Sequence, residues 1–509
     1  MKTKALIGVD IGTTNIKAVA FTPNGTELVK ASTPTLTHYP HPGWAYFNPN
    51  EIWDAICQVL RKVTATLPDH VEPAAIAFAS MAEAAVPLNA SGQPVFESIA
   101  WFDNRTEPQT QWWAEAIGEE KTAQITGLPV KPVFGILKLM WIRDNHPDTF
   151  AQITRWLNMA DYGVFQLCGA AATDYSLASR MLVLDPMQKQ WSGTLLDATN
   201  ISADLLGELV PSSTVLGHVH ASAADATGLP QGLPVCSGGH DHVCGSFALG
   251  LTQTGDVLDS MGTAEGIVLM IDKPRLGTHI AQLGIAQGVH VVPDRIYAMS
   301  GLSFSGGSVD WVRQLLLSES ELEPAEAFAQ MIALAEAVPA GSDGVFFLPH
   351  LRPASPSAVD ETARGAFAGL TSDVTTGHMV RAVLEGLAYE YQRVVNRLLN
   401  AFDVTDYQQI ATGGGTRNPL WMSIKADLSG STISVPQVNE AVCLGAAALA
   451  GVGAGVYASF EDAGQQIQYT TQTIPSDPVR HQFYRTRYEF VYGQLYDSLK
   501  VVNQAISQL

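Results

Sequence analysis

Three short segments of this 509-residue chain carry residue types suited to polar chemistry. The first runs Asp10-Ile-Gly12-Thr13-Thr14-Asn15-Ile-Lys17. A glycine tip lets a backbone approach a polyphosphate, and Thr13, Thr14 and Asn15 add donors. Lys17, two residues past Asn15 on a strand, projects to the same face and could supply positive charge. Asp10 could hold Mg²⁺ through water, because phosphate-bound Mg²⁺ keeps several waters and takes few carboxylates. The second segment, Gly238 to Gly245, sets Asp241 between His240 and His242 just after a strand. Asp241 could accept a proton from a hydroxyl, a role worth ~10²- to 10⁴-fold in rate. The two histidines share a face of extended chain, but no third ligand with metal-site spacing follows. In the third, a strand ends in Gly413, Gly414 and Gly415 before Asn418 and a helix, exposing backbone N–H groups that could shelve an adenosine. The plain alternatives are a polar hairpin, structural polar residues and a glycine-rich helix entry.

Other nucleotide and catalytic devices are excluded. No Gly-Lys dipeptide occurs, so there is no Walker A loop, and no Gly-x-Gly-x-x-Gly, His-Glu-x-x-His or Gly-x-Ser-x-Gly pattern is found. With 29 Lys+Arg against 49 Asp+Glu, the formal charge of -20 repels nucleic acid and anionic membranes over most of the surface. An anion such as ATP needs local groups that reverse this field. The 5 scattered cysteines form no CxxC pair and imply a reduced, cytoplasmic protein; no signal peptide is read at the N-terminus. The uncharged stretch from Ala441 to Ala458 is long enough to span a bilayer. Its Ala and Gly content instead predicts a buried helix ending near Gly451, Gly453 and Gly455.

The elements that must position these residues follow from hydrophobic spacing. Residues 4–33 read as a three-stranded meander, and 49–66 as a helix with Ile52, Ile56, Val59, Leu60 and Val63 on one face; 74–80 reads as a buried strand. Residues 105–230 predict helices capping a cleft. A second strand-rich block then echoes the first: Asp10-Ile-Gly12-Thr13 is matched by Asp259-Ser-Met-Gly262-Thr263, each an acid before a Gly-Thr tip. Two such hairpins could face each other. A clean stripe from Met379 to Leu398 predicts a core helix of about six turns. The expected fold class is α/β in two domains, joined near residue 245.

With those residues in hand, the whole chain resembles the FGGY family of carbohydrate kinases. The DIGTT hairpin with Lys17 resembles the family's first phosphate motif, SMGT with Gly262 and Thr263 the second, and GGHDHVCG the segment of the catalytic aspartate, here Asp241. SGLSFSGGSVDWV resembles the segment that brings small residues beside the phosphates, which implies a contact at Gly306. The run from Gly413 to Ala450 resembles the C-terminal signature, with Gly414, Gly415 and Asn418 near adenine. The resemblance implies two actin-like, ribonuclease H-like domains, 1–245 and 246–509, closing over MgATP and a sugar, with Asp10 and Asp241 near the metal. Family members are often dimers.

Trp101-Phe-Asp103-Asn-Arg resembles the W-x-D-x-R of the family's xylulokinases, so Trp101 would pack on the sugar and Asp103 would bond a hydroxyl. The chain departs from that branch at Met81-Ala82-Glu83-Ala84, where xylulokinases carry Met-His-Gly. Glu83 aligns instead with a polyol-binding glutamate of glycerol kinases, with Ala82 in place of the preceding arginine; His240 is a further departure. The expectation is ATP-dependent phosphorylation of a terminal hydroxyl of a ketopentose such as xylulose. Another ketose, glycerol or a tetritol, an actin-like ATPase acting on a protein partner, and a non-catalytic sugar sensor are the competing readings.

Overall fold

The computed structural model of the chain describes residues 2–317, 323–352, 360 and 362–508. A first mixed sheet is built from β1 (Thr3–Ile11), β2 (Asn15–Phe21), β3 (Glu27–Pro34), β4 (Val71–Ser80), β5 (Val215–His218) and β6 (Pro234–His240). Its spatial order is β5-β6-β4-β1-β2-β3. Strands β1, β4 and β6 run parallel, while β2, β3 and β5 are antiparallel to their neighbours.

The second sheet repeats this plan. It comprises β7 (Asp256–Met261), β8 (Glu265–Ile271), β9 (Ala286–Val289), β10 (Ile296–Leu302), β11 (Gln408–Thr412), β12 (Ile433–Pro436) and β13 (Thr471–Ile474), in the order β9-β10-β8-β7-β11-β12-β13. Reading from β10 to β13, the pairings are antiparallel, antiparallel, parallel, parallel and antiparallel, the same as from β3 to β5 in the first sheet. β9 is an extra edge strand. The echo between the two Gly-Thr tips is therefore a duplication of topology, with β1–β2 and β7–β8 in equivalent places.

The predicted helices form for the expected reasons. In α1 (Pro49–Thr66) the Asn48 side chain caps the first turn and Pro49 occupies a position that needs no N–H; Ile52, Ile56, Val59, Leu60 and Val63 are buried. The stripe from Met379 extends into α6 (Thr376–Ala401), capped by Thr375 and buried beneath the second sheet. Between these lie α2 (Gly135–Asn145), α3 (Tyr175–Ala178), α4 (Asp241–Ala248) and α5 (Gly306–Leu317); α7 (Pro419–Ser429) and α8 (Ala441–Gly453) follow α6.

α8 is the uncharged stretch, and it packs on the first sheet although it comes from the far end of the chain. A Cβ on Gly8 of β1 would lie 1.8 Å from the Cys443 carbonyl oxygen, and one on Gly445 would lie 2.0 Å from that of Cys244 on α4. Small residues are what allow this approach. A hydrophobic core of β1, α4 and α8 residues continues through Leu258, Val268 and Met270 of the second sheet, so the two halves share packing. No helix among the described residues is long and apolar enough to cross a membrane, and all 5 cysteines are free.

Candidate active site

The parallel strands β1, β4 and β6 bring their carboxyl ends together. Asp10 pairs in register with Ala79, and Ala79 with Gly239, so Asp10 and Asp241 emerge on either side of the end of β4. Open parallel sheets bind ligands at this edge.

Asp241 opens α4 directly after β6, and its side chain is about one-fifth exposed. One oxygen, Oδ1, collects three donors: the backbone N–H of His242 at 2.6 Å, His242 Nδ1 at 2.7 Å and His240 Nε2 at 3.0 Å. Burial opposes ionisation here, but the two imidazoles outweigh it and hold the carboxyl far below its ordinary range. The same attraction raises His242 against its own burial. The strand end is fixed by a relay from α3: the His240 N–H donates to Ser176 Oγ at 2.9 Å, and Ser176 Oγ donates to the buried Asp174 at 3.0 Å. His242 reaches the second half, since a Cβ on Gly266 of β8 would lie 2.7 Å from its Nε2. A cavity of about 120 Å³ beside Asp241 and His242 is walled from the other side by Ser260 of β7, Thr412 of β11 and Val442 of α8.

Asp10 is half-buried, and its Oδ1 has no hydrogen-bond partner among the described residues. Burial first, then Asp241 and Glu440, push its carboxyl up to about 7 against the pull of Lys17 and His242. No cation among the described residues comes within ion-pair distance of this carboxylate, an arrangement that suits a divalent cation. The β1–β2 turn is tight, with the Gly12 N–H donating to the Asn15 carbonyl at 3.1 Å, and Thr14 is exposed. Lys17, opposite Asp10 in the ladder, has its ammonium 2.7 Å from Glu440, which also meets Lys30 at 3.3 Å.

The second turn has the same form: the Gly262 N–H donates to the Ala264 carbonyl at 3.0 Å, with Gly262 and Thr263 exposed. The start of α5 docks onto it, Gly306 N–H to the Gly262 carbonyl at 3.1 Å and Ser305 N–H to the Thr263 carbonyl at 2.9 Å. A Cβ on Gly306 would meet that Gly262 oxygen at 2.5 Å, so this position requires glycine. The glycine run folds as a 3₁₀ turn, Gly414–Arg417, and a Cβ on Gly413 would lie 2.5 Å from the Met261 carbonyl oxygen. Asn418 is buried and caps α7 by accepting the Trp421 N–H at 3.1 Å, leaving its Nδ2 without a partner among the described residues.

On the opposite side of Asp241 the expected acceptor residues have mixed fates. Trp101 is half-buried, and its indole N–H donates to Thr13 Oγ1 at 2.9 Å, tying it to the first turn. Glu83 is buried with φ of 64°, a left-handed conformation costly for a residue with a side chain. Its Oε1 accepts Nε and Nη2 of Arg180, both at 2.5 Å. The Asp103 expectation needs correction. Its carboxylate is wholly buried and saturated by the Ala45 N–H at 2.6 Å, the Arg105 N–H at 2.7 Å and the Arg105 guanidinium at 2.8–3.0 Å. Arg105 in turn lies 4.3 Å over the Trp44 ring. In this arrangement Asp103 shapes the wall and has no oxygen to offer a hydroxyl.

Arg180, Lys138, the Asp174–Ser176 relay and Glu440 escaped the sequence reading. Lys138 of α2 is fully buried, donates to the Val133 carbonyl at 2.5 Å, and is lowered to about 8 chiefly by burial. The weak signal for Arg180 is Ala82, which leaves Glu83 with no cation beside it in sequence.

Two family models match the chain: the FGGY family of carbohydrate kinases, N-terminal domain, over residues 5–248, and the C-terminal domain of the same family over 258–454. Among curated relatives, a gluconokinase of Bacillus licheniformis is 29% identical over 93% of this chain and 92% of that protein. A xylulose kinase of Bacillus subtilis (strain 168) is 26% identical over 99% of each. The crystal structure of xylulose kinase from Rhodospirillum rubrum has a TM-score of 0.89 at 29% identity, covering 98% of this chain and 100% of that one. Gluconate kinase from Lactobacillus acidophilus shares the fold, with a TM-score of 0.89 at 23% identity over 98% of each chain.

Proposed function

We propose, from the premise that this chain belongs to the FGGY family of carbohydrate kinases and is an ATP-dependent sugar kinase of that family, that Asp241 is its general base. The observation that carries this reading is the placement of Asp241: partly exposed at the carboxyl end of β6, one oxygen saturated by two imidazoles, the other left for a hydroxyl. Asp241 takes the proton of a terminal hydroxyl as that oxygen bonds to the γ-phosphorus and the bond to the departing ADP oxygen breaks. A carboxylate held ionised is always ready but weakly basic. That suits phosphoryl transfer, whose loose transition state makes little demand on proton removal.

The phosphates are held by Gly12, Thr13, Thr14, Asn15 and Lys17 from one half and by Gly262, Thr263 and Gly306 from the other, with Gly414, Gly415 and Asn418 beside adenine. Asp10 and Asp241 would hold Mg²⁺ through water; bound there, the ion neutralises charge on the phosphate oxygens. We place the boundary between the moving halves at 245/246, and closure would exclude water that wastes ATP.

For the acceptor we propose a ketopentose such as xylulose, next to Trp101 and the Glu83–Arg180 pair. Xylulose kinases among the relatives support it. A second reading, a small sugar acid, is favoured by Arg180 and by Lys138, a buried ammonium without a carboxylate in salt-bridge reach among the described residues. A gluconokinase relative fits that reading. ADP release should be measured with xylulose, other ketoses, glycerol, a tetritol, gluconate and no acceptor. Turnover without any acceptor would favour the actin-like ATPase. Asp241→Asn is expected to lose ~10²- to 10⁴-fold in turnover while still binding ATP, and undiminished phosphorylation refutes the base.

A further inference from the structure

Beneath the second turn lies a group of buried ions that phosphoryl transfer does not use. Lys425, within α7, is fully buried. Its ammonium donates to Asp259 Oδ2 at 2.5 Å and to Glu265 Oε1 at 2.7 Å, and lies 3.8 Å from the centroid of the Tyr391 ring on α6. Asp259 and Glu265 are also buried and stand on the two strands that meet at Gly262 and Thr263. The second oxygen of Glu265 accepts from Ser305 Oγ, in the segment that docks Gly306 onto the turn. α7 itself is capped by Asn418, about two turns of helix before Lys425. One ammonium thus reaches the Gly262–Thr263 turn and the Gly306 segment through at most one carboxylate and a serine, and the third loop assigned to the nucleotide through its own helix.

We infer that Lys425 is a positioning residue for ATP: through Asp259 and Glu265 it holds the Gly262–Thr263 turn, the Gly306 segment and the glycine-rich entry to α7 in one register. The inference rests on the proposed nucleotide role of those loops. Hydrophobic packing is non-directional and fixes layers, whereas an anion site needs its donors held to fractions of an ångström. Directional bonds from a single charged centre supply that. Burial, with Glu265 next, raises the Asp259 carboxyl well above its ordinary range.

A purely structural triad would affect folding alone, and the test separates the two. Buried ion groups replaced together by apolar residues of similar size fold well. The variants are the triple Lys425→Met/Asp259→Leu/Glu265→Met and the single Ser305→Ala, which severs the link to Gly306 without unbalancing charge. Thermal melting, KM for MgATP, KM for the best acceptor of the panel and kcat are measured on each. The triple variant is expected to melt no lower than wild type, with acceptor KM within about twofold and KM for MgATP raised about tenfold. Ser305→Ala is expected to move KM for MgATP in the same direction by about threefold. Unchanged ATP affinity in a folded triple variant, or in Ser305→Ala should the triple variant not fold, overturns the inference. So does an equal rise in both KM values. Wild-type protein that binds no ATP instead removes the nucleotide reading itself.

Discussion

The two hairpins have one topology and the same Gly-Thr tip, yet their acids sit in opposite surroundings. Asp10 lies two residues before Gly12 and Asp259 three before Gly262. Side chains alternate faces along a strand, so this single-residue offset turns the second acid to the other side of its sheet. Ser260 takes the place equivalent to Asp10 and lines the cavity beside Asp241, while Asp259 faces the core and Lys425. The lysines divide in the same way: Lys17 is nearly one-third exposed in an ion pair, Lys425 not at all. Duplication supplied two turns of one form, and on the proposed reading a shift of one residue turns the first acid to the chemistry and the second to the support beneath it.

Exchanging the damage is the strongest way to break this contrast. Asp10→Asn is expected to lower kcat/KM by ~10²-fold or more with a melting temperature at or above that of wild type, because it removes a carboxylate whose Oδ1 has no hydrogen-bond partner among the described residues. Glu265→Ala removes a carboxylate partner of a buried ammonium and leaves Ser305 without its acceptor. It should cost about 3–5 kcal/mol of stability, read as a lower thermal midpoint. If Asp10→Asn unfolds the protein, or Glu265→Ala melts like wild type, the division of labour is wrong.

pH sharpens the same point more gently. Burial raises Asp10 from its usual value to about 7, so between pH 4 and 7 the folded state binds more protons than the unfolded chain. Stability contributed by this group therefore falls as pH rises through that window and levels off above it. Asp10→Asn lacks the titration, so its melting temperature should gain on wild type from pH 4.5 to 7.5. Added Mg²⁺ should narrow the gap by favouring ionised Asp10. A constant difference across that range would show that Asp10 titrates as it does in the unfolded chain.

Much of this arrangement was legible because it is local. Alternation drew the meander, the stripe from Met379 drew α6, and Gly-Thr tips between strands marked both turns. Asp241 stood out because glycines and histidines cluster around it within eight residues. What could not be read is carried by pairings across long stretches of chain: Glu83 with Arg180, Lys425 with Asp259, Lys17 with Glu440. Alternation also cannot tell which face of a strand is buried, so Asp10 and Asp259 looked alike. Asp103 misled for a related reason. An acid two residues before an arginine can face a ligand or its own neighbour, and only the packing of Arg105 on Trp44 decides for the neighbour.

The smallest effect tests whether Lys17 is exchangeable as Lys425 is not. Glu440 precedes α8, and the packing of α8 on the first sheet brings its carboxylate to both Lys17 and Lys30. If Lys17 serves the phosphates, Glu440 competes with them for the same ammonium. Glu440→Gln keeps a hydrogen-bond acceptor and removes the charge. Part-exposed pairs of this kind are worth about 0–1 kcal/mol, so KM for MgATP should fall by at most about fivefold. Screening makes the gain larger at low ionic strength and smaller above ~0.1 M salt, where the Debye length is about 10 Å. A rise in KM for MgATP would reverse the assignment: Glu440 would then be holding Lys17 in its working position, and the first hairpin would be as locked as the second.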